Sequence, residues 1–148
     1  MKRFFVLLLL LFAMPVAWAQ ADTNQQTTGA RIRLHEVHHN FGDVARRGGD
    51  LVYELHYTNE GQQPLVLTRV VTSCSCLKAH FQHRPLKAGD EGVIRIVYEP
   101  QKSEPGAFSK VIQIYSNSAS GRVIFTVQGN ALEGERVKEK GDKVKNKN

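Results

Sequence analysis

The sequence predicts an all-β protein, folded as a two-layer antiparallel β-sandwich of about seven strands. Three observations predict it. Apolar and polar residues alternate through successive segments, which is the period-two pattern of a strand with one buried face. Turn residues, chiefly glycine, proline, asparagine and aspartate, separate these segments. No long segment of the predicted domain has the periodicity of an amphipathic helix.

The alternation and the turn residues place the strands and their inward faces. The predicted strands are residues 31–37, 41–44, 51–58, 65–73, 92–99, 108–116 and 122–131. The side chains predicted to face the core on the most regular strands are Leu51, Tyr53, Leu55, Tyr57, Ile94, Ile96, Tyr98, Ile112, Ile114, Val123, Phe125 and Val127. A small closed barrel would give the same pattern and stays open as an alternative, because alternation alone does not fix closure.

One domain accounts for the strands. It covers residues 31–131, which is a usual length for a single domain with its own core. Residues 20–30 form a polar linker before it. Residues 132–148 carry charges of both signs and few apolar residues, so this tail is predicted to be disordered.

The amino terminus has the three parts of a secretory signal peptide, predicted at residues 1–19. Lys2 and Arg3 precede an apolar block at residues 4–14, and small residues follow. The block is shorter than the roughly 20 apolar residues that span a bilayer, so no stable membrane span is expected after cleavage at Ala19 or Ala21. The mature protein is therefore predicted to be periplasmic or secreted.

Composition argues against two classes of function. The formal net charge is +6, but arginines and lysines do not form a stripe interleaved with aromatic residues, so no nucleic-acid partner is expected. The sequence also lacks a glycine-rich phosphate loop, a paired-carboxylate arrangement and a nucleophile elbow. The chain is accordingly predicted not to be an enzyme.

The segment SCSCLKAHFQH, residues 73–83, is the densest in chemistry-bearing residues. It contains both cysteines, Cys74 and Cys76, together with His80 and His83. In an extended strand the two cysteine Cα atoms would lie about 6.6 Å apart, close to the upper limit of about 6.8 Å for a disulfide. A turn would allow a local bridge, and outside the cytoplasm that bridge would form or exchange with a partner thiol.

Two other hypotheses stay open for this segment. The spacing C-x-C-x3-H-x2-H offers two thiolates and two imidazoles from Cys74, Cys76, His80 and His83, a ligand set suited to copper or zinc, although it is not one of the strong zinc signatures. Alternatively, the cysteines pack at a strand end and the histidines occupy an exposed loop. A weaker histidine group, His35, His38 and His39, is more typical of a protein surface than of a metal site.

Several stretches together resemble a known family. They are FGDV (41–44), YELHYTNEGQQPLVL (53–67), VVTSCSC (70–76), LKAGDEGVIRIVYEP (86–100), PGAFSKVIQIYSNS (105–118) and FTVQGNA (125–131). In order and spacing they resemble the exported bacterial domain-of-unknown-function family fifteen seventy-three. The resemblance implies an immunoglobulin-like sandwich, as in the Hydin, major-sperm-protein and PapD-type chaperone domains. That family usually has glycine between the two cysteines, where this chain has Ser75.

The resemblance and the residues together predict a non-catalytic module that binds or scaffolds another envelope or secreted protein. Such a sandwich would act through an exposed edge strand or through its loops. No cofactor is expected. The alternative function is a thiol-redox or copper- or zinc-binding protein that uses the Cys-x-Cys loop.

Overall fold

The computed structural model describes residues 28–134. The predicted signal peptide, residues 20–27 of the linker and residues 135–148 of the tail lie outside this range. Within it, the chain forms eight strands and one short 3-10 helix. The strands are β1 (Ile32–Leu34), β2 (His38–Ala45), β3 (Leu51–Asn59), β4 (Leu67–Thr72), β5 (Leu77–His80), β6 (Glu91–Tyr98), β7 (Gly106–Ser116) and β8 (Arg122–Leu132), and the 3-10 helix is Pro100–Lys102. No helix in residues 28–134 is long and apolar enough to cross a membrane.

The strands form two four-stranded sheets packed face to face, so the predicted all-β sandwich is confirmed. The first sheet has the order β1-β3-β6-β5, and the second has the order β2-β8-β7-β4. All pairs but one are antiparallel. Both sheets have two edge strands, so the structure is an open sandwich and not a closed barrel.

Two details of the topology differ from the prediction. Strand β5 is not among the predicted strands, because four residues are too few to show alternation. Strand β2 pairs parallel to β8, whereas an antiparallel arrangement was predicted. The chain moves from the first sheet to the second between β1 and β2, and β2 then lies beside the last strand running in the same direction. Pairing direction across such long separations is not encoded in local alternation.

The core lies between the sheets and includes most of the predicted inward positions, although Leu51, Tyr53 and Val123 are only partly buried. Leu55, Ile96, Ile112 and Phe125 are completely buried, and Tyr57 is almost so. The ring of Tyr57 lies over Gly92, its register partner on β6, and a side chain at that glycine would collide with the ring. Burial of such side chains stabilises the fold by roughly 1.5–3 kcal/mol each.

A second aromatic group closes one end of the core. The ring of Tyr98 packs against Phe108 at 4.6 Å and against Phe41 at 5.7 Å between centroids. The Tyr98 hydroxyl donates to Ser103 Oγ at 2.9 Å, so its polar end is satisfied although the ring is buried. This contact holds the segment that precedes β7 against the end of the sandwich.

Asn59, at the inward end of β3, is completely buried and fully hydrogen-bonded. Its Oδ1 accepts from the amides of Gly61 at 3.0 Å and Arg31 at 3.3 Å, and its Nδ2 donates to the carbonyls of Gln63 at 2.8 Å and Leu86 at 3.0 Å. One side chain therefore joins three loops at this end of the sandwich. Without it, four backbone groups would lose partners that water does not readily replace.

We expect Asn59→Ala to lower the free energy of unfolding by about 2–4 kcal/mol, because it leaves several buried backbone groups unpaired. The matched control is Asn117→Ala. Asn117 also accepts from a backbone amide and donates to a backbone carbonyl, but it is exposed. Its replacement should cost about 1 kcal/mol or less, since water reaches the released groups. Urea denaturation measures both values, and equal losses would contradict the role assigned to Asn59.

Candidate functional site: the disulfide cleft

The Cys-x-Cys segment connects the two sheets. Strand β4 of the second sheet ends at Thr72 and β5 of the first sheet begins at Leu77, so residues 73–76 make the crossing. The amide of Ser73 donates to a carbonyl of β7 at 2.9 Å, and the carbonyl of Cys76 accepts from the amide of Glu99 at 2.8 Å. Each end of the short loop is thus hydrogen-bonded to a different sheet.

Cys74 and Cys76 form a disulfide with each other. Their Cα atoms are 5.2 Å apart, closer than the roughly 6.6 Å of an extended pair, so the loop is turned at this point. The turn is held by hydrogen bonds of its own. The carbonyl of Cys74 accepts from the amide of Leu77 at 3.3 Å and from Thr72 Oγ1 at 3.2 Å.

The bridge lines an open cleft of about 430 Å³ between the edges of the two sheets. Cys76 is 2% exposed, whereas Cys74 is half-buried. The buried ring of Phe108 contributes an apolar part of the wall, and Lys102 and Lys110 contribute two cationic side chains. The remaining lining residues are Ser103, Glu104, Pro105, Ala107 and Ser109. The lining is mainly polar, with one aromatic ring and two lysines, and such a lining suits an acidic or amphipathic ligand.

An ion-pair group stands beside the cleft. Glu99, whose side chain is 8% exposed, accepts from Lys78 Nζ at 2.9 Å and from Lys102 Nζ at 2.7 Å. The hydrogen bond from Lys102, and then that from Lys78, lowers the pKa of the Glu99 carboxyl. The same pairing raises the pKa of Lys78. Both ammonium groups remain half-exposed, so the group stays charged and carries one net positive charge at neutral pH.

The cleft also borders an open strand edge. Ser73 is the last residue beside β7, where its amide reaches the carbonyl of Val111 and its Oγ accepts from the amide of Val111 at 3.0 Å. Amide groups of alternate residues in a strand point to the same side, so Ala107 and Ser109 direct theirs away from β8 as Val111 does. Within the part of the chain described here, no strand covers that side of residues 106–110.

The structure separates the four side chains proposed as metal ligands. Cys74 and Cys76 are joined to each other, so neither is a thiolate. His80 ends β5, and His83 lies beyond it with its ring against Phe81 at 4.6 Å. Neither histidine lines the cleft. Across residues 28–134, no group of three or more His, Cys, Asp or Glu side chains is placed to hold a metal ion. The copper or zinc hypothesis stays a prediction, and it requires a reduced bridge.

The amino-terminal histidines occupy separate positions. His35 Nε2 lies 2.8 Å from Thr58 Oγ1, and its ring stacks on His56 at 6.0 Å. His39 stacks instead on Tyr53 at 3.9 Å between centroids. These contacts fit the surface role that the sequence favoured for them.

The sequence analysis missed the lysines of the cleft and the open edge. One signal was present: Lys110 falls between Phe108 and Ile112 in the inward series of β7, where an apolar residue is expected. Lys102 and Glu99 carried no comparable signal, since they lie outside the regular part of a strand. The open edge depends on which strands pair, which local sequence does not specify.

The two packed four-stranded sheets make this molecule an immunoglobulin-like sandwich. Its distinguishing feature, within residues 28–134, is an uncovered strand edge beside the cleft. A family model described as "Protein of unknown function (DUF1573)" matches residues 32–131. The chain therefore belongs to this family, as its motifs predicted. No curated protein is significantly similar to it.

Solved structures share the fold. A protein of unknown function from Porphyromonas gingivalis W83 is 21% identical with a TM-score of 0.62, and the match covers 68% of this chain and 46% of that one. The chain thus spans about half the length of that relative. The PapD-like domain 7 of human CEP192 is 10% identical with a TM-score of 0.59, covering 73% and 89%. The YadV chaperone is 11% identical with a TM-score of 0.51, covering 68% and 51%.

We expect Glu99→Gln to destabilise the protein in a pH-dependent way. The folded-state pKa of Glu99 lies below its ordinary value of 4.5, so the stabilisation is complete above that value and is lost as the pH falls through the folded-state pKa. The difference in melting temperature between wild type and variant should therefore shrink on acidification. Glu104→Gln, an exposed carboxylate of the same cleft, is the control and should show no such trend. A pH-independent difference at Glu99 would contradict this role.

Removing the bridge should cost little stability. In the chain-entropy model a loop of three residues gains only about 1.6 kcal/mol from a crosslink. The double variant Cys74→Ser with Cys76→Ser should accordingly lose less than about 2 kcal/mol in urea denaturation and keep the strand signal in circular dichroism. Unfolding of the variant would show instead that the bridge is a structural crosslink.

Proposed function

We propose that this protein is an exported, non-catalytic binding module that holds an extended segment of a partner protein along the open edge of β7. One observation carries the proposal. The segment that pairs with β7 ends at Ser73, opposite Val111, whereas β7 extends beyond Val111 back to its first residue, Gly106. The amide and carbonyl groups of Ala107 and Ser109 are thereby available to a further strand. Main-chain bonds of this kind give affinity, and pockets for alternate side chains give specificity.

The cleft supplies such a pocket. A segment that continues the line of β4 would run beside residues 106–110, and every second side chain would point toward the cleft. There it would meet the ring of Phe108 and the ammonium groups of Lys102 and Lys110. We therefore propose a partner segment that alternates apolar or acidic side chains with others that face solvent.

The other edges are less suited to such a partner. Strands β1 and β5 contain three and four residues, which is too short to pair well with a peptide. Strand β2 changes register between Asn40 and Asp43, and such an irregularity disfavours a continuous ladder. Strand β4 has six residues, but none of them lines the cleft.

Location and the absence of catalysis belong to the same proposal. The pattern of residues 1–19 supports export to the periplasm or beyond the cell. The described carboxyl group with a lowered pKa, that of Glu99, is bound to two lysines and is poorly placed for proton transfer. The PapD-like domain of CEP192 and the YadV chaperone share the sandwich, so the fold is compatible with a binding role.

A thiol-redox function is the second candidate, because the bridge lines the cleft and is half-accessible at Cys74. It differs from the first candidate in needing cysteine chemistry. Strand binding at β7 does not need it, so the two functions can be tested separately.

We expect Ser109→Pro to weaken the binding of a strand-forming peptide, because proline removes the amide that faces the open edge. Peptides that bind the protein would be selected from a random display library, and their affinity for the protein would be measured by calorimetry. Ser109→Pro should raise the Kd about tenfold or more, equivalent to about 1.4 kcal/mol. The control Ser109→Ala keeps the amide and should change the Kd less than about twofold.

Circular dichroism must show that both variants remain folded. Peptides that bind Ser109→Pro as tightly as wild type would place their site elsewhere and contradict the proposal.

A further inference from the structure

We infer that the Cys74–Cys76 bridge is an exchangeable group, through which a thiol of an acidic partner segment is captured as a mixed disulfide at Cys74. The inference rests on the proposed function for the nature of the partner, an extended protein segment. The chemistry of the exchange is argued separately, from the exposure of the two cysteines and from the charges that line the cleft.

The fold does not need the bridge. The crossing loop is held at Ser73 by β7, at Cys76 by Glu99 and internally by the bonds to the Cys74 carbonyl. A crosslink that closes a three-residue loop removes little chain entropy, in contrast to bridges that close long loops. Opening of the bridge therefore leaves both sheets and the cleft in place, which a reversible exchange requires.

The two sulfur atoms differ in access. Both cysteines line the cleft, but Cys74 is only half-buried, whereas Cys76 is 2% exposed. A thiolate that enters the cleft meets Cys74 first. Since exchange depends on which sulfur the attacking thiol can reach, the geometry assigns attack to Cys74 and release to Cys76.

Charge at the cleft favours both the attack and the release. Lys110 lines the cleft and makes no ion pair with any of residues 28–134, and the group of Lys78, Glu99 and Lys102 adds one net positive charge beside it. Glu104 offsets one of these charges. Cations near a sulfur atom stabilise its thiolate, and a positive cleft raises the local concentration of anionic ligands. The favoured partner is thus a cysteine in an acidic context.

The position of Cys74 relative to the open edge fits the docked segment. The backbone amide and carbonyl of Val111 on β7 are hydrogen-bonded to Ser73. Toward the start of β7, the next amides that point away from β8 are those of Ser109 and Ala107. A strand paired with them would begin directly beyond the loop that carries Cys74. A cysteine near that end of the segment would therefore face the bridge.

The exchange is balanced without another reactant. The partner thiolate attacks Cys74 Sγ, a bond forms between these two sulfur atoms, and the bond between Cys74 and Cys76 breaks. The electron pair leaves on Cys76 Sγ, which becomes a thiolate and takes a proton from water. One disulfide is consumed and one is formed, and attack by Cys76 on the mixed disulfide reverses the step and releases the partner.

The test uses two small thiols of opposite charge, anionic mercaptoethanesulfonate and cationic cysteamine, on the full chain at low ionic strength. Mass spectrometry would follow the rate of adduct formation and locate the adduct after proteolysis. The reference is a bridged synthetic peptide of residues 72–77, which has the same disulfide but no lysine. Relative to this peptide, we expect the protein to favour the anionic thiol at least about threefold.

Variants and salt test the cause of that preference. Lys110→Gln should reduce it, whereas Lys87→Gln, at a site remote from the cleft lining, should leave it unchanged. Added salt should also weaken it, because the cleft is open to solvent. The adduct should be found at Cys74.

An adduct at Cys76, a preference no greater than that of the peptide, or no effect of Lys110→Gln would overturn the inference. Neither small thiol pairs with β7, so such a failure leaves the binding of strands untouched. Conversely, a peptide without cysteine that binds independently of Ser109 would contradict strand binding and leave the exchange result standing.

Discussion

The crossing of the chain from β4 to β5 within residues 73–76 is the constraint on which the functional end of the molecule depends. Because the loop is short, β4 ends at a point where about half of β7, residues 106–110, is still without a neighbouring strand on that side. Among residues 28–134 no strand then covers this edge of β7, and the gap beside the crossing loop becomes the cleft. The hydrogen bonds of Ser73 and Cys76 to opposite sheets hold this geometry together with the bridge.

An open edge in a stable sandwich is a liability as well as a binding surface, since unpaired strand groups promote association of chains. Two features limit that risk here. The uncovered part of β7 is short, and Lys102 and Lys110 place charge beside it. In the function proposed above the same charges would select acidic segments, so protection against self-association and choice of partner would have one physical origin. Stability comes from elsewhere, from the apolar interior and from the satisfied polar group of Asn59.

The sequence predicted the sandwich because alternation reports directly on burial. Leu55, Ile96 and Phe125 occupy the inward positions that their strands assign to them. The pairing of β2 with β8 and the ends of β4 could not be predicted, because they depend on contacts between residues far apart in the chain. The site was predicted only in part. The spacing of Cys74 and Cys76 in the sequence singled them out as a candidate site. Lys102 and Glu99 are distant from them in sequence and come near the cleft only when the chain folds. His80 and His83 belong to the same segment as the cysteines but lie outside the cleft.

Residue-resolved amide hydrogen exchange on the free chain tests the openness of β7 most directly. The amides of Phe108 and Lys110 point toward β8 and should be protected, whereas those of Ala107 and Ser109 should exchange rapidly, as exposed groups do. An alternation of slow and fast amides from residue 107 to residue 110 is the predicted result. Equal and strong protection of all four would show that another segment already covers the edge, and would contradict a binding site there.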